Sequence, residues 1–460
     1  MVKQVGRVAT ALLLVSLVLN LRNVKAGNRL NARAAGMGGA ATAIARGLDA
    51  IALNPANLGV HDGAAMTMTV LPLGVNIESD FLTYDMFSKY LNNGPELSAL
   101  SEADKRILLD SFENGMGRSS GEAVARLFGI TLRTSQNVAV AFNVDYNFIG
   151  SAKLPREYAR MLLYGNIPGS TFDIHDLNVE AYWARSYTLS CGWQMPGVLF
   201  LDWLAAGVGV KLIQGYGNYT LDKFDAALRT DQAGALTGRT AIHARWTTTN
   251  SIDRPMSSLF QDPSGYGTGF DLGITGGVKD FFRFGASLTD IGSIRWSRDV
   301  EELRVDSLAT PVSPQTFQSF RRLSELGAAT THKGNAYSTK LPGVFRLGIA
   351  FQLDKMSDAA SFPGELLFAA DYQSALDGAL PLSDNSRLSF GIEYKPVSWL
   401  PIRTGFSYTG NSSTHLAFGF GISSRYFDLD LATENILFLF DQKSFSKGSL
   451  GFGMRFKIPG

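Results

Sequence analysis

From residue 65 to residue 458 the chain repeats one pattern, large apolar residues alternating with small or polar ones at period two. Between 138 and 148, Val138, Val140, Phe142, Val144, Tyr146 and Phe148 share one face, and Ala139, Ala141, Asn143, Asp145 and Asn147 share the other. The split recurs in Phe345, Leu347, Ile349 and Phe351 against Arg346, Gly348, Ala350 and Gln352. It recurs in Leu416, Phe418, Phe420 and Ile422 against Ala417, Gly419 and Gly421, and in Leu450, Phe452, Met454, Phe456 and Ile458 against Gly451, Gly453, Arg455 and Lys457. Such segments fall near 65–78, 122–134, 138–150, 176–194, 203–219, 267–279, 281–297, 343–354, 365–375, 386–396, 402–410, 414–424, 426–436 and 446–458. Most run to about ten residues or more, the length a tilted strand needs to cross a bilayer.

A soluble sandwich also alternates, with its apolar face inward, so the connectors decide. Every second one is mostly tight (135–137, 280, 397–401, 425), with 355–363 the longest of that set. The long ones, 79–121, 151–175, 220–266 and 298–342, all lie in the other set. Short turns at one end, long loops at the other and both termini on the short side predict an all-β fold. The expectation is a transmembrane, outer-membrane antiparallel β-barrel of about 14 strands over 64–460, its Phe/Leu/Ile face toward outer-membrane lipid and its Gly/Arg/Asp/Asn face toward the lumen. Three long loops carry helix signals: Ser101-Glu102-Ala103-Asp104 ahead of Ile107, Leu108 and Phe112, the stretch 155–164, and Ser313-Pro314 ahead of Phe317, Phe320 and Leu323. These helices either cap the barrel and pack on each other or form an apolar mouth. Pro72 interrupts the first strand by removing a ladder donor, and the resulting kink is either structural or a side opening.

Residues 1–26 read as a secretory signal, with Lys3 and Arg7, an apolar core over 8–19 and Val24-Lys25-Ala26 as a cleavage site. Cleavage near Ala26 would export the chain, and Cys191, the one cysteine, offers neither a disulfide framework nor a lipid anchor. Between signal and first strand lies a Gly/Ala-rich stretch, 31–59, in which small residues permit close backbone approach and Asn54-Pro55 ends any helix. Lys+Arg 42 against Asp+Glu 41, with no basic run, argues against nucleic acid.

Catalytic constellations are scarce. His61, His175, His243, His332 and His415 are scattered without a metal-ligand spacing, so neither metal nor cofactor is expected. Ser407, in Gly405-Phe406-Ser407-Tyr408-Thr409, only approaches a nucleophile elbow and reads as a small lumen residue. The inner-face charges Asp145, Glu180, Lys211, Asp271, Arg283, Arg346, Asp371, Glu393, Arg403 and Arg455 are expected to pair with one another or with whatever fills the lumen. No enzyme is expected.

The stretch MGGAATAIARGLDAIALNPANLG, with Gly36 just ahead of it, Gly38, Gly39 and Ala40 near its start and Asn54, Pro55 and Ala56 near its end, resembles the N-terminal segment of the FadL-type long-chain fatty-acid transporter superfamily. Gly267 to Trp296 looks like a matching hairpin in a Bacteroidota-type branch of that superfamily that includes PorV-like secretion-associated barrels. The end, Gly453-Met454-Arg455-Phe456-Lys457-Ile458, is similar to the terminal signal read by the barrel-assembly machinery. The resemblance implies a Gram-negative outer-membrane location and an N-terminal plug or hatch over 27–63. It implies passive uptake of a hydrophobic small molecule, with lateral exit near the Pro72 kink. The alternative it implies is a non-transporting, PorV-like scaffold for a secretion-system protein. No ligand-contacting residue carries over.

Overall fold

A computed structural model describes residues 31–460 apart from 70, 93–96, 166, 199, 233–235, 249–261, 307–329, 357–361, 377–385, 410–412 and 441–446. The signal-like residues 1–26 and the helix expected from Ser313 lie outside the described residues. In chain order the strands are β1 (Ala64–Thr69), β2 (Leu73–Ser79), β3 (Met116–Ser135), β4 (Val138–Pro155), β5 (Thr171–Ile174), β6 (Asn178–Pro196), β7 (Trp203–Thr230), β8 (Leu236–Thr248), β9 (Gly265–Val278) and β10 (Phe282–Trp296). There follow β11 (Val300–Asp306), β12 (Thr330–Lys333), β13 (Tyr337–Lys340), β14 (Val344–Gln352), β15 (Glu365–Ala375), β16 (Arg387–Lys395), β17 (Ile402–Thr409), β18 (Ser413–Ser423), β19 (Phe427–Thr433) and β20 (Lys447–Pro459).

Taking β1 and β2 as halves of one broken strand, the wall runs through β3, β4, β6, β7, β9, β10 and β14 to β20, each antiparallel to the next. The sheet closes where β20 meets both halves of the first strand, Thr67 opposite Lys457 and Leu73 opposite Phe452. This is a closed 14-strand barrel. Closure removes the sheet edge, the condition for a β-structure to sit in lipid. The alternation faces as expected. Phe148, Leu189, Leu212, Phe270, Phe390 and Ile458 are about half or more exposed on the outer wall, and Asn143, Asp145, Ser190, Asp271 and Arg346 are buried inside. No described helix is long and apolar enough to cross a membrane.

The expected loops differ from the structure in one respect. Residues 151–175, 220–266 and 298–342 are in part sheet. β7 continues for 28 residues, rises past the barrel rim and pairs there with β5 and β8, while β8 takes β11 and β11 takes β12. Above the membrane the alternation obeys the soluble rule, apolar side inward. Phe172, Ile174, Leu221, Phe224, Leu228, Ile242 and Val305 close on one another and on Met161, with Asp225 and Arg229 among the polar residues between them. A reading tuned to lipid-facing strands misses this inverted register.

Two of the expected helices form. Glu102–Asp110 is capped by Ser101, whose Oγ accepts from the Asp104 amide at 3.1 Å. Arg156–Tyr164 packs beside it through Leu108, Leu109 and Leu163 around Tyr90, with an Arg156–Asp110 ion pair at 3.0 Å. The pair lies over the barrel on the long-loop side and leaves Ile107 and Leu162 exposed.

The two environments predict opposite responses. Phe390→Arg, on the lipid face near the middle of β16, should destabilise the barrel by about 2–4 kcal/mol, read as a lowered unfolding transition in liposomes. Phe224→Ala should remove about 3–5 kcal/mol from the projecting sheet, opening it to protease while the barrel keeps its heat-resistant gel mobility.

Candidate functional site: a segment wound around the barrel interior

Residues 31–60 lie inside the barrel, and nearly all are buried. They form short helical pieces, Ala32–Gly36, Gly47–Asp49, Ala50–Leu53 and Pro55–Leu58, joined by turns. Asn31 caps the first, its Oδ1 accepting from the Ala34 amide at 3.0 Å. The chain then reverses at Gly38 (φ 65°) and Gly39 (φ 98°), both left-handed, and Gly39 N–H returns to Ala34 O at 2.8 Å. Ala40, fully buried, follows the turn. Asn54 caps the last piece, Oδ1 accepting from the Ala56 amide at 3.1 Å, with Pro55 in the first helical position, where no donor is needed.

The wall makes room for this path with a belt of glycines. A β-carbon on Gly405 or Gly391 would meet Met37; on Gly348 or Gly285, Thr42 and Ala43; on Gly273, Asn54; on Gly207, Pro55 and Ala56; on Gly192, Leu58 and Gly59. Gly36 meets Gly419 in the same way, and Ala32 meets Gly451. The belt is a matter of register. Gly391 pairs with Gly405, Gly285 with Gly348, and Gly192, Gly207 and Gly273 pair in succession.

Hydrogen bonds complete the hold. Asp371 accepts from the amides of Ala41 and Thr42 at 2.9 and 2.8 Å. Asn54 Nδ2 donates to the wall carbonyl of Ile274 at 3.0 Å, and Ser287 Oγ donates to Leu53 O at 2.6 Å. Arg387 donates to Gly38 O at 2.7 Å and to Ser407 Oγ at 3.2 Å. Arg126 donates to Leu48 O at 3.2 Å, and Arg133 reaches the carbonyls of Leu58 and Val60 at 3.2 and 3.0 Å. Asn57 Nδ2 ties the segment to itself through Thr42 O at 2.9 Å.

One side of the lumen carries a chain of ion pairs. Arg33 meets Glu393 at 2.7 Å, Arg403 bridges Glu393 and Asp430 at 2.5 Å each, and Arg455 joins Asp430 at 2.5 Å and also meets Asp49. Elsewhere Asp145 pairs with Arg126 at 2.8 Å, Lys211 holds Asp271 and Asp290 at 2.7 and 2.5 Å, and Arg346 donates to Thr289 at 2.7 Å. Glu180 sits higher, opposite Thr220. Arg283 meets no acid in an ion pair or hydrogen bond among the described residues. Arg33, Asp49, Arg126 and Arg387, which complete the hold, carried no sequence signal beyond their charge.

Pro72 lies at the break between β1 and β2, next to Leu71 in a left-handed conformation (φ 54°). Behind it a cavity of about 60 Å³ is lined by Arg33, Leu48, Asp49, Ala52, Arg126 and Arg455 among others, room for a few waters. Among the described residues no His/Cys/Asp/Glu group is arranged to hold a metal. The ring nitrogens of His175 meet Asp173 and Asp225, and those of His243 meet Glu302 and Asp222, on the projecting sheet.

Residues 66–433 match the family described as "Family of unknown function (DUF5723)", and the chain belongs to that family. No curated protein matches the sequence. Among solved structures it is similar to the Pseudomonas putida toluene transporter TodX (13% identity, 94% of this chain and 98% of that one, TM-score 0.44). It is similar also to a Pseudomonas aeruginosa FadL homologue (12%, 94% and 98%, TM-score 0.47). A third is the CymD monoaromatic hydrocarbon channel (16%, 96% and 98%, TM-score 0.42).

The belt predicts a directional effect. Gly207→Val and Gly405→Val should each loosen the inner segment, read as faster thiol labelling of an Ala40→Cys reporter in a Cys191→Ser background. Valine at Gly121, where nothing lies within 4 Å of the added carbon, should leave labelling unchanged. Glu393→Leu, which leaves Arg33 without an acid and Arg403 with Asp430 alone, should cost about 3–5 kcal/mol in the unfolding transition.

Proposed function

We propose that this chain is an outer-membrane barrel for the passive uptake of hydrophobic compounds, with residues 31–60 as the plug that closes its lumen. The observation that carries the reading is the apolar surface left open on the long-loop side. Phe440, Leu437, Tyr84 and Phe87 stand exposed there, as do Ile107 and Leu162 on the two helices. Exposed aromatic and aliphatic residues clustered above a barrel mouth are an expensive arrangement in water unless they collect apolar molecules. Cargo gathered there descends to the plug and leaves sideways at the Pro72 break. The 60 Å³ cavity behind that break is too small for it until Leu48 and Asp49 withdraw. Conduction therefore requires the plug to shift.

A second reading, a PorV-like scaffold for a secretion-system protein, is favoured by the sheet that β5, β7, β8, β11 and β12 raise above the barrel. Transport has no use for such a platform, whereas its outer strands β5 and β12 suit a protein partner.

A tether separates these readings. A β-carbon on Gly36 would lie 3.3 Å from that of Ala432, close to disulfide spacing. In a Cys191→Ser background, the Gly36→Cys/Ala432→Cys pair should slow entry of radiolabelled toluene or decane into outer-membrane vesicles several-fold when oxidised and release it on reduction. Equal uptake in both states removes the moving plug. Uptake by the untethered protein no faster than by barrel-free vesicles overturns transport, and a stoichiometric co-purifying protein lost on deletion of 221–248 would then support the scaffold.

A further inference from the structure

Most charges facing this lumen are answered by an opposite charge. At the short-turn end, two guanidiniums are not. Arg46, on the inner segment, directs Nη1 only to the carbonyl of its neighbour Ala45 at 2.9 Å, and its Nη2 is buried with no hydrogen-bond partner. The side chain of Arg283, the second residue of β10, makes no hydrogen bond or ion pair among the described residues. Arg283 is among the charges acting on Arg46, and Gly285, two residues on along the same face of β10, lies against Thr42 and Ala43 of the segment. The remaining charges near them do not restore balance. Arg33 is taken by Glu393, and Arg133 spends its donors on the carbonyls of Leu58 and Val60. Asp62 accepts from the Ala64 amide at 3.2 Å, and Asp280 acts on Arg283 only at a distance. Three guanidiniums therefore face two carboxylates, neither of which bonds Arg46 or Arg283.

We propose that Arg46 and Arg283 form a site for one oxyanion, a carboxylate or a phosphate, that bridges the inner segment to the wall. The guanidinium fork matches either group in bidentate fashion. An anion there would satisfy the orphaned Nη2 and replace a repulsion across the segment–wall seam with two charge-assisted contacts. Burial, then the neighbouring Arg283 and Arg33 charges, hold the Arg46 guanidinium well below its ordinary value, the cost an anion would remove. Arg283 lies just past the turn at Asp280, so the site lies at the short-turn end of the barrel. The oxyanion is either a free inorganic anion or the head group of an amphiphile. The site stands whether or not the barrel transports.

The test is thermal unfolding of the purified full-length barrel in a neutral detergent. Sodium phosphate, sodium decanoate below its micelle concentration, decanol and sodium chloride are titrated at matched ionic strength. Phosphate, decanoate or both should raise the transition saturably, with chloride and decanol flat. A phosphate-only response assigns the free anion, a decanoate-only response the amphiphile head group. Arg283→Gln and Arg46→Gln should each abolish the rise. Arg283→Gln should also unfold at a higher temperature than the parent without anion, because it removes the repulsion. Arg283→Lys should retain only part of the response. Unchanged heat-modifiable gel mobility identifies the variants that still fold. An equal rise with chloride, which is screening, or a full response in Arg283→Gln overturns the proposal.

Discussion

Everything inside this barrel depends on backbone approaching backbone. A segment threaded through a closed sheet has amides and carbonyls of its own, and burying them without partners costs about 1–3 kcal/mol each. Water cannot fill the seam when Met37, Leu48, Ala50 and Ala56 are fully buried, so the wall must come close enough to supply the bonds. Only glycine permits this where a β-carbon would overlap the segment, as at Gly207, Gly273 and Gly405. The belt is therefore the precondition for Asn54 reaching Ile274 O and for Asp371 reaching the Ala41 and Thr42 amides.

The glycines alone would hold the segment weakly, since they add little buried area. The ion pairs supply specificity in their place. Burying Arg33, Glu393, Arg403 and Asp430 is not a cheap way to gain stability, because desolvation offsets most of the Coulomb attraction. What it secures is register. A strand apolar on both faces could slip by one residue without loss, whereas a slip here would carry Arg403 and Glu393 into lipid. The same residues that fix the wall also fix the segment, because Glu393 is shared by Arg403 of the wall and Arg33 of the segment.

The wall was legible in sequence because its rule is local. Val138 to Phe148 declares its two faces without reference to any other strand. Gly38, Gly39, Asn54 and Pro55 were legible for the same reason, each acting through its own turn. The partners were not. Met37 meets Gly405 and Arg33 meets Glu393 across more than 350 positions, and nothing in a single chain marks one arginine as the anchor of another element. The projecting sheet was missed for a different cause. Phe224, Ala226 and Leu228 alternate with Asp225, Ala227 and Arg229 as clearly as any wall strand does, but the environment that gives the alternation its meaning changes at the rim.

The hold on the inner segment is uneven, and the unevenness has a direction. Near its start, loss of Arg33 would strand Glu393, which is almost fully buried, beside Arg403 alone. At its far end Gly207 and Gly192 lie against the backbone of residues 55–59, and Arg133 holds the carbonyls of Leu58 and Val60. Between them, the pair made by Asp49 behaves differently. Arg455 also meets Asp430 at 2.5 Å and Asp428 at 3.6 Å, so releasing Asp49 leaves the wall arginine still neutralised. Asp49 itself keeps 16% of its side chain in contact with water, which lowers the cost of freeing it. Arg46, three residues before it, faces the like charge of Arg283. The stretch around Arg46 and Asp49 is thus where displacement strands the fewest buried charges, and Leu48 and Asp49 are among the residues that line the cavity behind Pro72. Under the proposed uptake, a movement that begins there would enlarge the cavity behind Pro72.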